Sequence, residues 1–145
     1  MAQYCSMNLQ IKNSLKVYVV EDSPAVRETL YAMLSDIPGV KVIGYAADEA
    51  AAIEGIALLL PDVVILDLHL LYGTGFNVLT RVKKHQPEIK VVVLSNYASA
   101  MYVSGCKQAG ADFFFDKSFQ FMLVGKVLAQ LMSPDGTDGE IAGLQ

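Results

Sequence analysis

Residues 63–67 read Val-Val-Ile-Leu-Asp, four apolar side chains in unbroken succession and then a carboxylate. The run is too apolar for the alternation of a half-exposed strand. It fits a strand covered on both faces, as in a sheet with helices on each side. Three further runs end in a similar way. Leu15 to Val20 leads into Glu21-Asp22, Ile89 to Leu94 into Ser95, and Asp112 to Phe115 into Asp116-Lys117. In an open α/β sheet, ligands bind in the crevice beyond the carboxyl ends of the strands. Carboxylates, a hydroxyl and a lysine are therefore all delivered to one edge.

Helical patterns separate the strands. Asp22-Ser23-Pro24 opens the first helix, with a capping-type residue ahead of a proline in the first turn, and Val26, Leu30, Met33 and Leu34 form its apolar stripe. Pro38-Gly39 turns the chain into another strand, Val40 to Ala46. Asp48 caps a second helix whose expected inward residues are Ile53, Ile56, Ala57 and Leu60, ended by Pro61. A loop, Leu68 to Thr74, precedes a third helix with Phe76, Leu79 and Val82 inward. The fourth helix, from Ala98 to Ala109, has a thin stripe of Tyr102, Val103 and Cys106, interrupted by Gly105. The fifth, Phe119 to Met132, carries Val124, Val127, Leu128 and Leu131. Strict β-α alternation demands a parallel sheet with right-handed crossovers and helices on both faces. The expected organisation is a flexible leader over residues 1–14, one domain over 15–132 and a disordered tail over 133–145, with no second periodic region to form an output domain.

Composition narrows the function. Across 145 residues, 53% hydrophobic and 18% charged side chains suit one compact domain. A formal net charge of -4, with no basic run, offers nothing to a nucleic-acid backbone. The apolar stretch from Ile56 to Leu66 is broken by Pro61 and Asp62 and falls short of the roughly 20 residues of a spanning helix. The start of the chain lacks the pattern of a signal peptide. Cys5 and Cys106 stand in unrelated contexts and are expected to be reduced thiols in a cytoplasmic protein.

Phosphoryl transfer suits the residues gathered at the edge. An aspartate such as Asp67 can act as nucleophile and form an aspartyl phosphate. Charge spreads over the oxygens of the transferring group, so positioning and charge neutralisation dominate catalysis. Magnesium, which takes one or two carboxylates and keeps several waters, fits Asp22 and Asp67, with Glu21 acting through a water. Lys117 supplies a point charge and Ser95 a hydroxyl donor. Singly, each residue has a plainer reading: Glu21 and Asp22 as helix caps, Asp67 as a turn former, Ser95 and Lys117 as structural or solvated groups. Gly73-Thr74-Gly75 is no dinucleotide fingerprint, because Val78 stands at the third glycine position. Neither His69 nor His85 has metal-ligand neighbours at useful spacing, and His85 is expected to face solvent at a helix end.

From about Leu15 to Met132 the chain resembles the receiver domain of two-component response regulators. The resemblance is carried by the acidic pair Glu21-Asp22, the aspartate in VVILDLHLLYGTGF, the hydroxyl in VVVLSNYA and the lysine in FFFDKS. It implies a flavodoxin-like α/β fold with five helices and a doubly wound, five-stranded parallel sheet in the order 2-1-3-4-5. It also implies that Asp67 accepts a phosphoryl group from a histidine of a sensor kinase or histidine phosphotransfer protein. Asp22, Asp67 and the backbone carbonyl of His69 would bind Mg2+, while Ser95 and Lys117 contact the phosphoryl group. Phe114 falls at the family's aromatic switch position. An inward move of Ser95 and Phe114 would remodel the face made by the fourth helix, fifth strand and fifth helix. Output would pass to a downstream protein, without direct nucleic-acid contact or membrane insertion. A homodimer stays open, because receiver dimers use ordinary helix faces.

The chain also departs from the family. Leu71 stands where a proline is common, which predicts a less fixed loop after Asp67. Asn96 replaces a usually small residue near the phosphoryl entrance. The bulky His69 and Tyr97 occupy two positions that tune phosphoryl lifetime, and are expected to hinder the attacking water. Two other readings stay in view. One is a degenerate receiver that binds partners without phosphorylation. The other is a haloacid-dehalogenase-type phosphatase, which needs a second Asp where this chain has His69.

Overall fold

The computed structural model describes residues 14–132. The tail expected over 133–145, and all of the expected leader except the exposed Ser14, lie outside the described residues. Strands β1 (Leu15–Val20), β2 (Val40–Ala46), β3 (Val63–Leu66), β4 (Lys90–Ser95) and β5 (Phe113–Asp116) alternate with helices α1 (Pro24–Ser35), α2 (Glu49–Leu59), α3 (Gly75–His85), α4 (Ala100–Gln108) and α5 (Leu123–Met132). All pairings between these strands are parallel and their order is β2-β1-β3-β4-β5, as expected.

Successive residues of the central strand serve opposite faces. Val64 and Leu66 join a core made with Ala52 and Ile56 of α2, Val78, Leu79 and Val82 of α3, and Cys106 of α4. Val63 and Ile65 join the other core, with Leu30 and Leu34 of α1 and Val124, Val127 and Leu128 of α5. That two-sided cover explains why β3 is apolar without alternation. Each fully buried Leu, Ile or Val contributes about 1.5–3 kcal/mol over its exposed state.

Local chemistry starts the helices. Ser23, Asp48, Thr74 and Ser99 cap the first four, each accepting with a side-chain oxygen from the amide three residues on. Pro24 follows Ser23 in the first turn. The caps also correct the expected stripes. With Thr74 as cap, residues 75, 78, 79 and 82 share the buried face of α3, so Val78 turns inward and Phe76 is 40% exposed. In α2 the buried residues are Ala52 and Ile56, whereas Ala57 is exposed. Leu60 lies past the helix in a left-handed cap (φ 48°) and is exposed as well. Tyr102 is 43% exposed rather than inward, leaving Cys106 as the buried residue of α4. Helix α5 starts at Leu123 instead of Phe119. Asp116 Oδ1 accepts from the amides of Ser118 and Phe119, and Gln120 Oε1 accepts from the Asp116 amide, which holds the chain in turns first.

Candidate functional site

The parallel ladder continues one residue past the strands and so places the site. Asp67 N donates to the Val20 carbonyl at 3.0 Å, which sets Asp67 beside the end of β1. Glu21 N donates to the Ala46 carbonyl at 3.0 Å, and Lys117 N to the Ser95 carbonyl at 2.8 Å. Glu21, Asp67 and Ser95 are consequently buried polar residues at the carboxyl edge of an otherwise apolar sheet. Lys117 Nζ reaches both acids, at 2.9 Å from Glu21 Oε1 and 3.2 Å from Asp67 Oδ2.

The acids are held from several sides. Glu21 Oε2 accepts from Ser23 N at 3.2 Å, and Arg27 Nη1 donates to the Glu21 carbonyl at 2.7 Å. The Arg27 guanidinium also lies 4.3 Å over the Tyr45 ring. Asp67 Oδ1 accepts from His69 N at 3.3 Å, and Ser95 Oγ accepts from Tyr97 N at 3.0 Å. Gly75 packs against the backbone of Asp67 so closely that a Cβ there would overlap the Asp67 carbonyl oxygen. The Gly-Thr-Gly run thus lets α3 start against the backbone of this site.

The electrostatics are those of buried, mutually repelling acids bridged by a lysine. Burial raises the Glu21 pKa above its ordinary 4.5, and the charge of Asp67 adds to the rise, while Lys117 and the Ser23 amide oppose it. Burial alone would lower the Lys117 pKa, but the Glu21 and Asp67 carboxylates outweigh it and raise the pKa above 10.5. One ligand oxygen from each of Glu21, Asp22 and Asp67 lies within 4.8 Å of the others. Hard carboxylate oxygens at that spacing, with Asp22 partly exposed, fit a magnesium-type ion that keeps part of its water shell.

The structure brings Glu21, Asp22, Asp67, Ser95 and Lys117 to one edge. His69 and Tyr97 stand beside it, their ring centroids 4.1 Å apart, with Tyr102 at 6.0 Å from each. Phe114 is buried inside the sheet's core. Asn96 is exposed at the end of β4, and its Oδ1 accepts from Ser118 Oγ at 3.4 Å. Cys106 lines a neighbouring cleft of about 480 Å³, and burial pushes its thiol pKa up to about 11, so it stays protonated. The sequence reading missed Arg27 and Glu49. Neither belongs to a recognisable motif, and their roles depend on partners visible only in the folded chain.

A doubly wound sheet with an acidic cluster and a lysine at its carboxyl edge is suited to chemistry on phosphoryl groups. The sequence matches the response regulator receiver domain family over residues 17–128, and the chain belongs to that family. Among curated proteins it is 42% identical over 86 residues to protein-glutamate methylesterase/protein-glutamine glutaminase 5 of Anaeromyxobacter dehalogenans, covering 59% of this chain and 24% of that protein. It is 33% identical over 102 residues to a putative transcriptional regulator of Pseudomonas aeruginosa, covering 70% and 49% respectively. The chain thus spans about a quarter of one relative (24%) and half of the other (49%). Among solved structures it is similar to the receiver domain of the putative response regulator NarL from Mycobacterium tuberculosis, with a TM-score of 0.72, 32% identity, and coverage of 80% of this chain and 94% of that one. The response regulator domain of Thermotoga maritima CheB gives a TM-score of 0.69 at 27% identity, covering 82% and 93%. This chain is therefore a receiver domain of two-component signalling. Among the described residues, no helix is long and apolar enough to cross a membrane.

Proposed function

We propose that this chain is a phospho-accepting switch. Asp67 attacks the phosphoryl group of a phosphohistidine on a sensor kinase or histidine phosphotransfer protein. A bond forms between a carboxylate oxygen and phosphorus as the phosphorus–nitrogen bond breaks, and the donor imidazole leaves. The observation that carries this reading is the bridging of buried Glu21 and Asp67 by Lys117. Two acids and a lysine at the strand ends form a charge trap suited to a dianionic group joined to a cation.

Asp22, Asp67 and the backbone carbonyl of His69 would hold Mg2+, with Glu21 acting through a water. The ion supplies charge neutralisation for the phosphoryl oxygens. Lys117 exchanges its carboxylate partner for those oxygens. Ser95 Oγ accepts from Tyr97 N, so its own proton is free for donation to the phosphoryl group. A shift of Ser95 and Phe114 then remodels the face of α4, β5 and α5. Helix α4 buries only Cys106 and is the loosely held element such a change needs. The His69 and Tyr97 rings, in tilted contact, shield the aspartyl phosphate from water.

Residues 15–132 are the receiver unit. It works in the cytoplasm, catalyses only its own phosphorylation and dephosphorylation, and passes its signal by protein contact. The test is intact mass after incubation with magnesium and acetyl phosphate, beside Asp67→Asn. Gain of one phosphoryl group by the wild type alone is the expected result. Failure with both acetyl phosphate and phosphorylated histidine kinases would leave an unphosphorylated binding module.

A further inference from the structure

The loop that carries the chain from Asp67 into α3, residues 68–74, contains no proline, and its Leu71 and Tyr72 are each 70% exposed. Burial therefore does little to fix its outer half. Glu49, the first residue of α2, is what ties it down. Its amide donates to the Tyr72 carbonyl at 3.0 Å. Its Oε1 accepts from Thr74 N at 2.9 Å and from Asn77 Nδ2 at 3.2 Å. Gly73, at φ 85°, packs so tightly on Glu49 that a Cβ would overlap the side chain. Thr74 in turn pairs with His69 in a short antiparallel bridge, and Gly75 N donates to the Leu68 carbonyl at 2.9 Å. His69 N donates to Asp67 Oδ1 at 3.3 Å. A continuous path thus runs from Glu49 through Thr74 and His69 to Asp67.

We propose that Glu49 is a positioning residue for the site, setting the orientation of the His69 peptide through Thr74. The His69 backbone offers its N–H to Asp67 and, from the next peptide unit, its carbonyl to the cation, so the inference rests on Asp67 and His69 serving as metal ligands. A carboxylate in the first turn of a helix is favoured by the helix dipole, and charge-assisted hydrogen bonds are about twice as strong as neutral ones. A proline in place of Leu71 would restrain the same loop by another route, its fixed φ.

Amide hydrogen exchange and magnesium titration by calorimetry, on wild type, Glu49→Ala, Glu49→Gln and Glu49→Ala/Leu71→Pro, test this. Exchange is measured without metal or phosphodonor and reports on the strap alone. Glu49→Ala should speed exchange at Thr74 and weaken magnesium binding, each about tenfold, as expected for loss of a charged hydrogen bond. Glu49→Gln, which keeps an acceptor oxygen but not the charge, should restore part of both, and Leu71→Pro should recover magnesium affinity in the Ala background. A melting temperature lowered by Glu49→Ala, with exchange and affinity unchanged, would reduce Glu49 to a surface contact. Faster exchange at unchanged affinity would also overturn the inference. If the wild type itself binds no magnesium, the metal reading fails, and the exchange data still decide whether the strap exists.

Discussion

Lys117 Nζ sits 2.9 Å from Glu21 Oε1, joining the ends of the first and last strands across 96 residues of sequence. The same ammonium lies 3.2 Å from Asp67 Oδ2, so a built-in cation contacts two of the three acids that would hold a metal. Removing one partner of a buried ion pair costs up to about 3–5 kcal/mol, because the remaining charge is stranded. Lys117→Met should therefore lower the metal-free melting temperature by several degrees. Magnesium should raise the melting temperature of the variant more than that of the wild type, since the ion then neutralises the acids alone. Equal magnesium shifts in thermal melts of the two proteins would show that Lys117 and the ion do not share ligands.

Glu21 should shape the acid side of the stability profile. Its folded pKa is raised, chiefly by burial, so ionised Glu21 opposes folding above that pKa. The penalty disappears as pH falls through the folded value towards the ordinary 4.5. Lys117 has the same pH trend in an alkaline window: its raised pKa contributes stability below 10.5 that is lost as pH rises through the folded value. Metal-free wild type should thus gain stability relative to Glu21→Gln as pH falls from neutrality towards 4.5. Denaturant midpoints of both proteins across that range measure it, and a constant difference would mean that Glu21 titrates normally.

Magnesium should stabilise the fold through Asp22, the most accessible acid of the cluster. A ligand at a hundredfold excess over its dissociation constant adds about 2.7 kcal/mol. Asp22→Asn should remove most of that gain while raising the metal-free melting temperature, since one of the mutually repelling acids is gone. Affinity should also fall on acidification, because the ligands must be deprotonated. Calorimetric titration at two pH values gives both results. A melting temperature indifferent to magnesium, together with a more stable Asp22→Asn, would leave a strained acidic pocket without metal.

The rings of His69 and Tyr97, at 4.1 Å, join the loop after Asp67 to the loop after Ser95. If the pair hinders the attacking water as a unit, His69→Ala and Tyr97→Ala should each speed dephosphorylation by about threefold to tenfold. The double variant should be little faster than either single one, because an aromatic pair worth about 0.5–1.5 kcal/mol is broken by the first substitution. Decay of the phosphorylated mass after donor removal follows all four proteins. Full additivity would mean that the rings act separately.

The strand core and the acidic edge were legible because each depends on local facts. VVIL, short, β-branched and unbroken in its apolarity, suits a strand buried on both faces, and Asp67 is its next residue. Phe76 and Leu60 were misread because both are apolar at helical spacing. Which face an apolar residue takes was decided instead by the Thr74 cap and the left-handed turn before Pro61. Phe119 was drawn into α5 because nothing in its own chemistry announces the Asp116 turn that delays the helix. Glu49 and Arg27 were invisible for a different reason. Their partners are a backbone amide 25 residues away and the carbonyl of Glu21, and no pattern of side chains encodes either.

Two glycines in helices should respond in opposite ways to alanine. A Cβ at Gly55 in α2 would overlap the Tyr18 hydroxyl, which donates to the Tyr45 carbonyl at 3.1 Å. Tyr18 is 3% exposed and has no room to move, so Gly55→Ala should destabilise by about 1–3 kcal/mol despite its better helix propensity. At Gly105 in α4 nothing lies within 4 Å of an added Cβ. Gly105→Ala should stabilise by about 0.5–1 kcal/mol, the ordinary gain of alanine over glycine in a helix interior. The gain falls on the element proposed to rearrange, so amide exchange in α4 should slow, and its response to phosphorylation should shrink. Urea midpoints and exchange rates for the two variants separate these effects. A Gly105→Ala protein that is more stable, yet keeps the full phosphorylation response of α4, would move the switch to another part of the fold.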